Sequence, residues 1–352
     1  MFKKPLYVIF CMISYSIYAQ NIKTINALTF SGYLDNPKIP KLIEKKCNVK
    51  FSYDTYNTNE EFLEIFNQRR NDYDVMIFSN LAYGNIRKQI ENLNIKTDLW
   101  KTANNYYPYF KDYYFHHNYP HNILFFSHAV VGFMYNPDIV KTSPTENIFK
   151  IFKQVSNNDV ILIDDPIEIK NLLNLAYLNF NKYSSNNLNS TKEFSYQGLK
   201  NITQNSNVFI TNDFNQIYKN RNFALAFLWS GDALLFIKQS HKPYKFSLNP
   251  NASFICTDLL AQMKNSAEAR CVAKALESPD VMQLVENTNY YFTPYFTDDV
   301  HEPQFSELYM QTKSMLASLP WIQPEENFNF YLNQWKLIKL KFLKDQQKDI
   351  FK

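Results

Sequence analysis

Val160-Ile161-Leu162-Ile163-Asp164-Asp165-Pro166-Ile167-Glu168 (VILIDDPIE) carries two instructions back to back. The unbroken run of branched apolar residues reads as a strand buried on both faces, and Asp-Pro-x-Glu reads as a helix start. Asp165 is the expected N-cap, Pro166 takes the first helical position where a missing N–H costs nothing, and Glu168 is the capping-box acid. A strand feeding directly into a helix is the building unit of an α/β protein.

The same grammar extends outward in both directions. Strands are expected at Ala27 to Phe30, Val49 to Tyr53, Val75 to Phe78, Ala129 to Tyr135, Val160 to Ile163, Val208 to Ile210, Phe223 to Leu228 and Phe254 to Thr257. Helices are expected at Ile39 to Lys46, Glu60 to Arg69, Gly84 to Glu91, Ile167 to Tyr177, Ala233 to Gln239, Ala267 to Glu277 and Val281 to Glu286. This alternation predicts an α/β fold on largely parallel sheets. The aromatic stretch Tyr106 to His121 (YYPYFKDYYFHHNYPH) lacks a helical period and reads as a packed loop, and Tyr183 to Ser190 (YSSNNLNS) reads as a polar loop.

At 352 residues the chain is too long for one small domain, so two lobes are expected. Its formal net charge of +4 is too weak for a non-specific nucleic-acid binder, which needs a concentrated basic face to displace counterions. Gly32, Gly84, Gly132, Gly198 and Gly231 stand too far apart to form a dinucleotide-binding loop or a P-loop. There is no GxSxG, HExxH or CxxC, which removes the usual hydrolase, zinc-protease and redox signatures. Met1 to Gln20 (MFKKPLYVIFCMISYSIYAQ) has the layout of a secretory signal peptide, with Lys3 and Lys4, an apolar run and a cleavage site after Ala19. Beyond it, Cys47, Cys256 and Cys271 permit at most one internal disulfide in a compartment where disulfides persist.

Several segments, in order over most of the chain, resemble the periplasmic spermidine/putrescine-binding proteins of ABC transporters. They are Phe30-Ser31-Gly32-Tyr33, VKFSYDTYNTN at Val49 to Asn59, YDVMIFS at Tyr73 to Ser79, VGFMYN at Val131 to Asn136, IDDPIE at Ile163 to Glu168, FLWSGD at Phe227 to Asp232, FICTD at Phe254 to Asp258, SPDV at Ser278 to Val281 and YFTP at Tyr291 to Pro294. The resemblance implies a two-lobed periplasmic-binding-protein (type II) fold with the ligand cleft between the lobes. It divides the chain into residues 20–135 with 258–315 as the first lobe and residues 136–257 with 316–352 as the second, after a signal peptide over residues 1–19. It further implies a monomeric receptor, not an enzyme and without a cofactor, that hands a small-molecule polyamine to an inner-membrane ABC permease. Phe30, Ser31, Tyr33, Ser79, Asp165, Glu168, Trp229, Asp258 and Tyr291 are the ligand-binding residues that it implies. The sequence departs from the family at Phe30, Leu81 and Cys256, where larger rings are usual.

The chemistry suits these residue types. A polyamine carries ammonium groups along a methylene chain, so carboxylates must neutralise the charges while aromatic faces cover the methylenes. Asp165, Glu168 and Asp258 fall at or just beyond expected strand ends, the rim where open α/β folds bind ligands. Each has an ordinary structural use as well: Asp165 and Glu168 as helix caps, Asp258 as a loop cap, and Trp229, Tyr33 and Tyr291 as core rings. Other cargoes for the same fold are another organic cation or ferric iron, the latter through the adjacent Tyr290 and Tyr291, and a role as ligand-sensing partner of a signalling protein is the further alternative. His116, His117 and His121 lie close together within the aromatic stretch, which favours a surface loop over a metal site.

Overall fold

The structure, a computed structural model, describes residues 22–141, 147–183, 194–203, 205–213, 222–240, 242–295 and 303–350. The leader, and the YSSNNLNS loop apart from Tyr183, lie outside the described residues. Among the described residues no helix is long and apolar enough to cross a membrane.

Among the described residues nine strands form a sheet in the order β2-β1-β3-β9-β4-β7-β5-β6, with β8 beside β4. They are β1 (Thr24–Phe30), β2 (Lys50–Tyr56), β3 (Val75–Ser79), β4 (Ile123–Tyr135), β5 (Asp159–Leu162), β6 (Asn207–Ile210), β7 (Leu225–Trp229), β8 (Lys245–Ser247) and β9 (Phe254–Gln262). The expected parallel pairing holds for β1 with β2 and β3, and for β5 with β6 and β7. The centre differs: β9 runs antiparallel to β3 and β4, and β4 runs antiparallel to β7. The long strands β4 and β9 therefore carry the chain from one half of the sheet into the other, the two-lobed arrangement of a type II solute-binding fold. Both strands are longer than the sequence pattern indicates. The run ILFFSHAVVGFMY of β4 is almost wholly buried, so no alternation marks where it begins.

The helices are α1 (Lys38–Cys47), α2 (Asn59–Arg69), α3 (Asn80–Glu91), α4 (Pro108–His116), α5 (Ile148–Gln154), α6 (Pro166–Tyr183), α7 (Tyr196–Thr203), α8 (Ser230–Ser240), α9 (Ala267–Leu276), α10 (Pro279–Asn289), α11 (Pro303–Met315) and α12 (Phe328–Ile350). Helix α4 corrects the loop expected over Tyr106 to His121. Pro108 opens it, and Phe110 and Tyr114, one turn apart, are buried. Its other face is aromatic too because Tyr113 stacks on Trp321 at 3.8 Å, and rings on several sides erase the periodicity. His117 stacks on Tyr113, while His128 of β4 is a neutral core residue that burial pushes down to about 3.

Cys47 at the end of α1 is bonded to Cys271 of α9, across 224 residues of sequence. Closing so long a loop restricts the unfolded chain, and its loss typically costs about 2–5 kcal/mol. Thermal melts with and without reductant are expected to differ accordingly, with the reduced form melting lower; coincident melts would show that the bridge contributes nothing.

Candidate functional site

The residues of interest converge where β4 and β9 pair. Asp258 corrects the strand-end expectation: it sits in the middle of β9, in register with Ser79 of β3 on one side and Ser127 of β4 on the other. A register shift in β4 between Phe125 and Ser127 brings Ser127 opposite the acid. The Asp258 carboxylate accepts hydrogen bonds from the Tyr33 hydroxyl and from Ser127 Oγ at 3.3 Å. Tyr33 reaches it from the turn after β1, where Gly32 at φ +95° takes a left-handed conformation that side-chain-bearing residues rarely adopt. Burial still pushes the Asp258 carboxyl up to about 6.

Glu168 and Asp165 part company. Asp165 Oδ1 caps α6, accepting from the amides of Ile167 at 2.8 Å and Glu168 at 3.1 Å. Its Oδ2 accepts from Asn59 Nδ2 at 3.1 Å, a bond that joins the start of α2 to the start of α6. Glu168 does not close the expected capping box. Its side chain turns into the cleft, where Oε1 accepts from Trp229 Nε1 at 2.7 Å and from the Cys256 thiol at 3.1 Å. Among the described residues Oε2 is buried with no hydrogen-bond partner. Burial, and then the neighbouring Asp165, hold the Glu168 carboxyl well above the usual range, and burial raises Asp165 as well.

These groups line an inner chamber of about 50 Å3, walled by Phe30, Tyr33, Asn59, Ser79, Ala129, Glu168, Trp229, Cys256, Asp258 and Tyr291. A mouth of about 890 Å3 shares Phe30, Tyr33, Trp229 and Tyr291 with it, and there Ser31 joins Asp35, Asp164, Asp213 and Asp232. Burial pushes Asp232 up to about 7 even though Tyr291 bonds to it. Together the two rooms present six carboxylates, and among the described residues lining them there is no Lys, Arg or His. Lys339 reaches Asp164 at 2.7 Å from α12.

Seven of the nine residues singled out by sequence thus line the inner chamber, Ser31 lines the mouth, and Asp165 stands behind the wall as a cap. Ser79 both lines the chamber and caps α3 by accepting from the Leu81 amide. Leu81 itself is buried in the first turn of α3 and lines neither room. Cys256 does face the chamber. Gly231 has no space for a side chain: a Cβ there would lie 2.4 Å from the Asn289 carbonyl and 2.7 Å from the Tyr291 ring. Close approach of α8 to Tyr291 is what this glycine provides. The adjacent tyrosines diverge, Tyr291 facing the cleft while the Tyr290 hydroxyl meets Lys238, so they do not converge as paired phenolate ligands. Asp35 and Asp213 were not distinguishable in sequence, being polar loop residues, whereas Asn59 and Asp232 close the segments VKFSYDTYNTN and FLWSGD and were not picked out from them as site residues.

No protein-family model matches the sequence, and no curated protein matches it either; the likeness is one of structure. The spermidine/putrescine ABC transporter substrate-binding protein PotD from Streptococcus pneumoniae superposes with a TM-score of 0.70 at 17% identity, covering 92% of this chain and 99% of that one. The TpPotD lipoprotein of Treponema pallidum gives 0.67 at 15% identity over 90% and 99% of the two chains. Iron-bound HitA from Pseudomonas aeruginosa gives 0.62 at 11% identity over 90% and 99%. At these identities the shared property is the fold, that of two-lobed solute-binding proteins.

Proposed function

We propose that the protein is a receptor, not an enzyme, that captures a protonated di- or polyamine in this cleft and presents it to an ABC importer outside the cytoplasm. The observation that carries this reading is the set of six carboxylates lining a cleft whose described lining residues include no cationic side chain, with one of the six, Asp164, already paired with Lys339. Such a field attracts cations and repels anions. An ammonium end is the right size and charge for the inner chamber, where Glu168 Oε2 has no hydrogen-bond partner and the Asp258 carboxylate, held by Tyr33 and Ser127, adds countercharge. The methylenes then run past Trp229, Tyr33 and Tyr291 towards the aspartates of the mouth, where further ammonium groups are neutralised. Residues 20–135 with 258–315, and 136–257 with 316–352, are the proposed lobes. Contacts from the ligand to both would favour the closed state only when the cleft is occupied.

The reading is tested by a thermal-shift panel of spermidine, putrescine, cadaverine-like diamines, neutral sugars and ferric ion. Binding to the folded state stabilises it by about 2.7 kcal/mol at a hundred-fold excess over Kd. Only the amines are expected to raise the melting temperature; a shift with sugars or iron alone would reject the reading.

Proton linkage gives a second test. Burial raises the carboxyls of Glu168, Asp165, Asp258 and Asp232 in the empty cleft, so near neutral pH the cleft holds protons that free carboxylic acids would have lost. A bound ammonium favours the ionised forms, so binding releases protons and weakens as pH falls. Amine affinity is expected to drop severalfold between pH 7.5 and pH 5.5, the window set by the values of about 6 and about 7. An affinity that is flat or rises across that interval would contradict the assignment.

A further inference from the structure

Helix α12 has two apolar faces, and only one of them is used by the fold. Trp335, Ile338 and Phe342 are buried against α6, α7 and α3. On the outer side Phe330 is 57% exposed, Leu337 68%, Leu340 56% and Leu343 50%. Their spacing is helical, so they form one stripe along the solvent face. Lysines flank this stripe: Lys336, Lys341 and Lys344 are exposed, the first paired with Glu60 of α2 and the second lying over the Tyr196 ring at 4.3 Å. The acid on this part of the helix, Asp345, is turned aside to accept from the Tyr196 hydroxyl. A soluble surface rarely sets large aliphatic residues in line, because each costs the free energy of its hydration.

We propose that this face of α12 docks on an anionic bilayer surface. The charge decides the occupant: leucines that insert among acyl chains, beside lysines whose long stems let the ammonium groups stay at the head-group level, suit a negatively charged interface. A neutral apolar groove on another protein would gain nothing from the lysines and would lose free energy by burying them. Docking would hold the receptor at the membrane by a contact weak enough to be reversible. The inference is independent of which ligand the cleft takes.

Co-sedimentation of the mature chain with vesicles tests it, using phosphatidylcholine alone and phosphatidylcholine with phosphatidylglycerol at about 7:3. The chain is expected to pellet about tenfold more with the anionic vesicles, and to be released when salt rises from about 0.05 M to about 0.5 M. Leu337→Ser with Leu340→Ser should reduce pelleting about tenfold, and Lys344→Glu severalfold, with melting temperature and ligand binding unchanged because these side chains lie outside core and cleft. Absence of pelleting, equal pelleting with both vesicles, or retention by both variants overturns the proposal. So does a concentration-dependent dimer that the leucine variant dissolves, since the face would then be a contact between copies.

Discussion

Glu168→Gln and Asp258→Asn are each expected to weaken spermidine binding by about 2–5 kcal/mol, roughly 30-fold to several thousand-fold, because a desolvated cation loses a countercharge. Both substitutions keep shape. In Glu168→Gln the new amide oxygen still accepts from Trp229, and in Asp258→Asn the side-chain carbonyl still accepts from Tyr33, so the loss reports charge and not packing. Asp165→Asn is the internal comparison. Asn caps helices as well as Asp does, and Asp165 stands behind the chamber wall, so its effect is expected to be smaller than either of the others. Calorimetric titration of the three variants checks the order; equal affinities for Glu168→Gln and the parent would assign Glu168 to fold stability alone.

The second large effect concerns Cys256→Trp. The thiol donates to Glu168 and lines a chamber of about 50 Å3, which leaves no room for an indole. The ring must therefore fill the chamber or displace its walls, and overpacking of this kind costs about 1–3 kcal/mol of stability. Amine binding is expected to be abolished in a protein that still folds, while Cys256→Ser, which keeps a donor towards Glu168, is expected to bind nearly as the parent does. Tighter spermidine binding by Cys256→Trp would mean that the chamber opens wider in solution and takes the ring as a wall.

Much of this architecture was legible because β-branched runs and helix caps are local. VILIDDPIE declared its strand, its cap and its proline-led helix, and β5 and α6 follow that reading. What was hidden depends on distant partners. Strand direction in β4 and β9 is set by pairing across more than a hundred residues, so an antiparallel centre inside an alternating pattern left no local mark. Helix α4 was hidden because both of its faces pack, and the short β8 because Lys245–Ser247 has almost no hydrophobic signal. The charge of the mouth was hidden for a similar reason: Asp35 and Asp213 come from loops and Asp232 from the start of α8, and they meet only in space. Glu168 was ambiguous in sequence between cap and ligand contact; its side chain turns away from the helix end, and that choice belongs to the packing of Trp229 and Cys256.

Isothermal titration of spermidine and putrescine into the mature protein at pH 7.5, repeated in buffers of different ionisation enthalpy, bears most directly on the cleft as an amine receptor. Saturable one-site binding at micromolar Kd or tighter is expected, with observed heats that vary with the buffer because protons leave the carboxylates as the amine enters. Absence of binding by either amine, alongside saturable binding of an anion, a neutral solute or ferric ion, would contradict it.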